Sequence, residues 1–349
     1  MTEHEELRVR PDKFGSVCAP FEFGPYISVS PQLTAEEGVA VVGRVKNVSR
    51  TYGHLELRSG RPALLIPGDL IVGVLGNRAA LRGFCGSVPE RVERGDELWL
   101  LNKGGVIGES SGATVGLGEP IRLEAVGTPM RDGKPLRLRD YALELIATLP
   151  EPMPPVLMVA ATCMHVGKTT AAGVVIRDLT SRGYRIHAGK ATGVAAIADL
   201  LSFADNGAAQ TLSFVDVGVP STCGHEDVPE ITRTLLALLT AEMPDAIVLE
   251  LGDGLLGAYG VDAILDDAQL AACSSTALVA ANDIIGGYSA ATRLQECGIS
   301  VAAITGPATD NRAGSDRLEA LGFQAKNIFF QPTEVCALVR QGLGLGEKK

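Results

Sequence analysis

Fifteen residues constrain this chain more than any others: Val156-Leu-Met-Val-Ala-Ala-Thr-Cys-Met-His-Val-Gly-Lys-Thr-Thr170. Its first six residues, Val156–Ala161, are an unbroken apolar run, the pattern of a strand buried on both faces. It enters a tight turn, and a helical pattern starts at Lys168. Such a turn aims a row of backbone N–H groups and the positive end of the helix dipole at one spot, which suits an anion. Gly167 lets the backbone approach that anion closely. Lys168 can reach the β- and γ-phosphates of a nucleotide, and the Thr169 hydroxyl can sit on Mg²⁺. Thr162 stands where the phosphate-loop pattern G-x-x-x-x-G-K-[ST] places its first glycine.

The chain beyond this point repeats the same grammar. Apolar runs at 156–161, 185–189, 246–251, 277–281, 301–305 and 327–330 read as strands. Helical patterns at 168–182, 228–241, 262–272, 288–297, 314–321 and 333–340 alternate with them. Strand–helix alternation with nearly continuous apolar strands predicts a parallel sheet covered on both faces, a doubly wound α/β domain. In such sheets ligands bind at the carboxyl ends of the strands. Asp245-Ala-Ile-Val-Leu-Glu-Leu-Gly-Asp-Gly-Leu-Leu256 ends a strand in an acid followed by glycines. Glu250 is thereby placed to hold Mg²⁺, directly or through water, with Asp253 as the alternative. Gly189-Lys-Ala-Thr-Gly193 ends another, which sets Lys190 toward a γ-phosphate and a substrate.

Before the linker Glu151-Pro-Met-Pro-Pro155, whose prolines block helix and sheet alike, the pattern is different. Short apolar runs at 39–45, 63–66, 70–74, 98–101 and 121–125 are split by turn pairs such as Pro67-Gly68 and Gly95-Asp96. This predicts a smaller all-β domain, a barrel or a sandwich, over residues 1–150, ahead of a nucleotide-binding domain over 151–349. The first thirty residues, with Pro11, Pro20 and Pro25, read as an extended arm, and the stretch 104–118 as a long glycine-rich loop. The acidic run Glu3, Glu5 and Glu6 reads as a solvated tail.

The formal charge of -10 excludes the clustered basic surface that nucleic acid or an anionic membrane requires. No apolar run approaches the length of a membrane span, and the polar start of the chain is not a signal peptide. Seven scattered cysteines fit reduced thiols. The expected setting is cytoplasmic. Cys223-Gly-His225 lacks the paired spacing of a zinc site.

Ala161-Thr-Cys-Met-His-Val-Gly-Lys-Thr169 resembles the phosphate loop of dethiobiotin synthetase and its relatives, G-T-D-T-[DE]-V-G-K-[ST]. Glu250-Leu-Gly-Asp-Gly-Leu-Leu256 is similar to that group's E-G-A-G-G-L-L, and Lys190-Ala-Thr-Gly193 to its K-P-x-x-[ST]-G. The resemblance covers 156–330 and extends to cobyrinic acid amide synthases and to the P-loop family that contains a D-glutamate N-acetyltransferase. It implies ATP and Mg²⁺ as cofactors. Thr162, Cys163, His165, Val166, Gly167, Lys168, Thr169 and Thr170 would form the nucleotide cradle, with Lys190 also on phosphate. Mg²⁺ would lie near Thr169, Glu250 and an Asp after Lys190, for which Asp205 fits best by spacing, with Asp216 in reserve. The base would lie near Thr305, Asn311 and the segment 327–332, and a homodimer is implied. The pattern departs at Ala161, Cys163 and His165, where the group has glycine and two acids. The early lysine of switch-type relatives is absent.

Together these readings predict an ATP- and Mg²⁺-dependent enzyme acting on a small molecule. It would activate a carboxylate or carbamate by phosphoryl transfer, as an amide- or urea-forming ligase or a kinase, with Lys168, Lys190 and Glu250 as the catalytic groups. The alternatives are a nucleotide-gated maturation or partner-binding NTPase, and an acyltransferase that uses the loop for a coenzyme A-type cofactor.

Overall fold

The computed structural model describes residues 7–49 and 52–347; Glu3, Glu5 and Glu6 lie outside them. The chain divides into two compact units. The first takes the chain as far as Glu144 and adds two later stretches, Val194–Ala198 and Phe214–Cys223. The second is Leu145–Gly193, Asp199–Ser213 and the chain from Gly224 onward.

The first unit is built around the long strand Ile121–Arg131, which pairs antiparallel with Ile27–Ser30, Ala40–Val45 and Glu97–Leu100. Its first residues alternate between buried and exposed, so the apolar set faces inward. Val41, Val45, Leu55, Ile71, Leu75, Leu98, Ile107 and Leu123 close over one another as its core. Two expectations change here. The first thirty residues are not a bare arm but carry the strands Leu7–Val9, Lys13–Phe14 and Ile27–Ser30 and the 3₁₀ turn Ser16–Cys18. The glycine-rich stretch after Gly104 is largely the strand Val106–Ala113, where a Cβ on Gly108 would lie 2.5 Å from the Ser87 carbonyl oxygen of the paired strand.

The second unit carries six parallel strands: β1 (Val156–Ala161), β2 (Ile186–Thr192), β3 (Gln210–Ser213), β4 (Ala246–Leu251), β5 (Ser274–Ala280) and β6 (Val301–Thr305). Their order in the sheet is β3-β2-β4-β1-β5-β6. The helices are α1 (Lys168–Ser181), α2 (Ala198–Asp205), α3 (Val228–Thr240), α4 (Val261–Asp266), α5 (Ala268–Cys273), α6 (Ile284–Glu296), α7 (Arg312–Ala320) and α8 (Pro332–Gly342). Every residue of β1 and β4 is buried, as their apolar runs require. α1 turns Ala171, Ala172, Val175, Ile176 and Leu179 onto the sheet, where they meet Leu157, Val159, Ile186 and Val248. That spacing puts one apolar stripe on one helix face. The chain runs outward from β1 to β3, crosses back to β4, and then proceeds to β5 and β6. The reversal leaves the carboxyl ends of β1, β2 and β4 side by side.

Three local expectations are corrected. The helix read over 262–272 is broken at Asp267, whose carboxylate caps α5 by accepting from the N–H groups of Gln269 and Leu270 at 3.0 and 3.1 Å. The stretch 327–330 is not a strand, since the Asn327 side chain accepts from the Phe329 N–H at 2.9 Å and curls its own backbone. α2 and β3 were not foreseen; α2 is only eight residues long and fully buries Phe203 alone, with Leu200 partly buried against the core. No helix of the described residues is long and apolar enough to cross a membrane.

Candidate functional site

Register fixes the site before any side chain is considered. Val159 of β1 lies opposite Glu250 of β4, and Glu250 lies opposite Lys190 of β2 on the other side. One sheet edge therefore holds the loop after Ala161, a carboxylate and a lysine. Between β1 and α1 the chain turns through two left-handed residues, His165 (φ 62°) and Gly167 (φ 98°). That conformation costs a residue with a Cβ about 1–2 kcal/mol, which His165 bears and Gly167 does not. α1 then starts at Lys168, and its first-turn N–H groups lack intrahelical acceptors.

Lys168 is buried and arches back over its own loop. Its ammonium donates to the Cys163 carbonyl at 3.1 Å and to the Asp253 carbonyl at 2.5 Å. Burial pulls its pKa down, and the Glu250 and Asp253 carboxylates partly restore it. The glycine-rich turn after β4 is pressed against this loop. A Cβ on Gly254 would lie 2.6 Å from the Thr162 carbonyl oxygen, closer than real contacts allow.

The second lysine, Lys190, pairs its ammonium with the Asp199 carboxylate. The other oxygen of Asp199 accepts from the Thr169 hydroxyl at 3.2 Å. Burial would push Asp199 up, but the Lys190 ammonium and the Thr169 hydroxyl outweigh it and hold the carboxyl below its ordinary range. Glu250 goes the other way. Burial raises it, the nearby Asp199 charge adds to the rise, and the two lysines only partly offset them. One oxygen of Glu250, Oε2, is buried with no hydrogen-bond partner. A buried acceptor left alone is costly, and such a group at a ligand site is completed by what binds there.

The donor set of a hydroxyl and carboxylates is all oxygen, which suits Mg²⁺. Among the described residues, no three His, Cys, Asp or Glu side chains are gathered into a ready metal cage. Mg²⁺ seldom needs one, because it keeps waters and takes phosphate oxygens beside one or two carboxylates. Thr169, Asp199 and Glu250 therefore fit a cation that arrives with a nucleotide.

The sequence-derived candidates fall as follows. Thr162 ties the loop to the end of β5 by accepting from the Asn282 N–H at 3.2 Å. Cys163 packs against Ala161, Val166 and Ala280, so its side chain serves a small apolar cluster beneath the loop. His165 and Thr170 are exposed, and Lys168, Thr169, Lys190 and Glu250 converge. Asp205 does not join them. It ends α2 on the exposed side, whereas Asp199, in the first turn of the same helix, reaches Lys190 and Thr169. The spacing argument chose the last residue of a helix it had not recognised, and the structure brings the first-turn acid to the two lysines' edge instead. Asp216 lies in the first unit, where its carbonyl accepts from the Leu143 N–H at 2.8 Å. Thr305 is buried and its hydroxyl accepts from the Ile328 N–H at 2.9 Å. Asn311 caps α7 through the Gly314 N–H at 3.1 Å. Their side-chain oxygens are thus already engaged at the far edge of the sheet.

No family model matches the chain, and no curated protein sequence matches it. Solved structures do resemble part of it. The signal recognition particle 54 kDa protein of Aeropyrum pernix K1, in complex with GDP, superposes at a TM-score of 0.39 with 19% identity. That match covers 56% of this chain and 47% of the other, so the chain spans about half of that protein. The signal recognition particle receptor FtsY of Elizabethkingia anophelis gives 0.37 and 16%, covering 54% of this chain and 66% of that one. The kinase domain of the Escherichia coli tyrosine kinase ETK gives 0.31 and 13%, covering 44% and 68%.

Proposed function

We propose that this protein binds a nucleoside triphosphate with Mg²⁺ at the β1–α1 loop and uses its γ-phosphate to activate a small-molecule carboxylate or carbamate. The observation that carries the reading is the convergence of Lys168, Lys190, Thr169, Asp199 and Glu250 at one sheet edge, with a buried acceptor on Glu250 left open. The sequence resemblance to dethiobiotin synthetase-like ligases supports the choice of acyl activation over simple hydrolysis.

Each residue has a definable task. Lys168 would leave its two carbonyl acceptors, those of Cys163 and Asp253, for phosphate oxygens that carry full charge. Charge-assisted bonds are about twice as strong as neutral ones. Its lowered proton affinity would be restored by the same phosphates. The loop N–H groups and the start of α1 would hold the β-phosphate. Lys190, set beyond them, would neutralise charge that develops on the transferred group. Mg²⁺, when bound, supplies charge neutralisation between phosphates. Thr169, Asp199 and Glu250 would hold it, and the open oxygen of Glu250 gains the partner it lacks. Phosphoryl transfer asks little else of a protein than such positioning.

The reading is tested by calorimetric titration with non-hydrolysable ATP and GTP analogues, with and without Mg²⁺, and with acetyl-CoA, in wild type and Lys168→Ala. Mg²⁺-dependent binding of a triphosphate that the substitution abolishes supports it. Binding of acetyl-CoA in preference to both triphosphates overturns it and points to acyl transfer. Preference for the GTP analogue would replace ATP within the same mechanism.

A further inference from the structure

Two strands of the second unit fall out of step where the site begins. β2 and β4 pair residue for residue as far as Lys190 opposite Glu250, but the partner of Leu251 is Thr192, so Ala191 is an extra residue on β2. Such a bulge interrupts the ladder and re-aims the side chains beyond it. Here it brings Thr192, which is wholly buried, alongside the end of β4, and its hydroxyl donates to the Gly252 carbonyl. Gly252 is buried too and closely fitted: a Cβ on it would lie 2.9 Å from the Thr192 carbonyl oxygen.

Gly252 opens the turn 252–254, and each residue of that turn touches a phosphate-binding group. A Cβ on Gly252 would stand 3.6 Å from Cε of Lys190, and one on Gly193 would stand 3.3 Å from the same atom. The stem of Lys190 therefore lies against two glycines, one following Thr192 in the chain and one tied to it. The Asp253 carbonyl accepts from the Lys168 ammonium at 2.5 Å. Gly254 rests on the backbone of Thr162 and Cys163. A turn with two glycines in three residues has little conformational preference of its own, so its shape depends on what holds its ends. Downstream, the Leu255 N–H donates to the Ala161 carbonyl at 3.0 Å. Upstream, past the last ladder pair at Leu251, the hold is the Thr192 hydroxyl.

We propose that Thr192 is a positioning residue for the terminal phosphate: by tethering Gly252 it sets the turn that places Lys168 and Lys190 relative to each other. The inference rests on the triphosphate reading above. The β-phosphate would be held chiefly by the loop N–H groups and the start of α1, whereas the two lysines meet at the γ-phosphate. Loss of the hydroxyl should therefore weaken a triphosphate more than a diphosphate. Removing one partner of a buried hydrogen bond corresponds to roughly 10-fold in an equilibrium constant.

The experiment is calorimetric titration of the full-length protein with Mg²⁺ and a non-hydrolysable ATP or GTP analogue, whichever binds, and with the matching diphosphate. Wild type, Thr192→Val and Thr192→Ser are compared. Thr192→Val keeps the branched shape and removes the donor, while Thr192→Ser keeps the donor. The expected result for Thr192→Val is a triphosphate affinity lowered about 10-fold and a diphosphate affinity changed by less than about 3-fold, with Thr192→Ser close to wild type on both. Hydrogen exchange of the free protein gives a second readout: the Leu255 amide should lose protection in Thr192→Val while the amides of α1 keep theirs. Equal losses in the two variants, or parallel falls for triphosphate and diphosphate, would overturn the proposal and leave Thr192 a residue of general stability. A wild type that binds no triphosphate is a different failure: it removes the nucleotide reading, and this inference with it, before any variant is compared.

Discussion

Replacing Asp199 by asparagine, with Asp205→Asn as its control, separates the geometry of the site from its sequence spacing. Asp199 is 23% exposed at its side chain and its partner Lys190 is 10% exposed. Removing one member of a fully buried pair costs about 3–5 kcal/mol, while an exposed pair contributes about 0.2–1 kcal/mol. This pair lies between those limits. Asparagine still fills the volume and can accept from Lys190 or Thr169, and Glu250 remains beside Lys190 as a second counter-charge. The expected loss is therefore about 1–2 kcal/mol. For a unit of this size that is roughly 2–8 °C in Tm. Because the folded carboxyl is held below its ordinary range, its contribution is complete above the unfolded pKa and disappears as pH falls through the folded one. Wild type and Asp199→Asn should thus converge in strong acid and differ most near neutrality. Thermal melts at pH 7 and below pH 3, paired with Mg²⁺ titrations, provide the assay. Asp205→Asn, on an exposed helix end, should change stability by no more than the roughly 0.5 kcal/mol typical of surface positions. Equal losses from the two substitutions, or a gap that widens in acid, would refute the assignment.

Other consequences are as direct. Lys168→Ala should remove triphosphate binding while leaving the fold, since its two acceptors are backbone carbonyls and no charged partner loses a direct hydrogen bond; calorimetry and a melt check both parts. Gly254→Ala should weaken nucleotide binding by pushing a methyl group into the Thr162 carbonyl 2.6 Å away, seen as a lower affinity with little change in Mg²⁺ midpoint. Leu179→Ala, deep between α1 and the sheet, should cost about 2–5 kcal/mol, read by denaturant unfolding. Burial pushes the thiols of Cys273 and Cys336 up to about 11 and about 12. At pH 8 their thiolate fractions are therefore roughly 10⁻³ and 10⁻⁴. Native alkylation followed by mass spectrometry should find both nearly unmodified and increasingly labelled as pH rises.

How much of this was legible in the sequence follows from which forces wrote it. β1, β4 and β6 were read to the residue because strands of a covered parallel sheet are apolar along nearly their whole length. The start of α1 was legible for a related reason, since glycine before lysine marks the left-handed turn from which the helix departs. What stayed hidden was held by single polar contacts. Asp267 breaks a helix that hydrophobic spacing alone would continue, and Asn327 curls a segment that reads as a strand. α2 is the instructive case. Its eight residues fully bury only Phe203, with Leu200 partly buried against the core, too short a stripe to stand out from the loops around it. Asp199 could still have been found, since an acid in the first turn of a short helix after a strand-end lysine matches the dipole at that end.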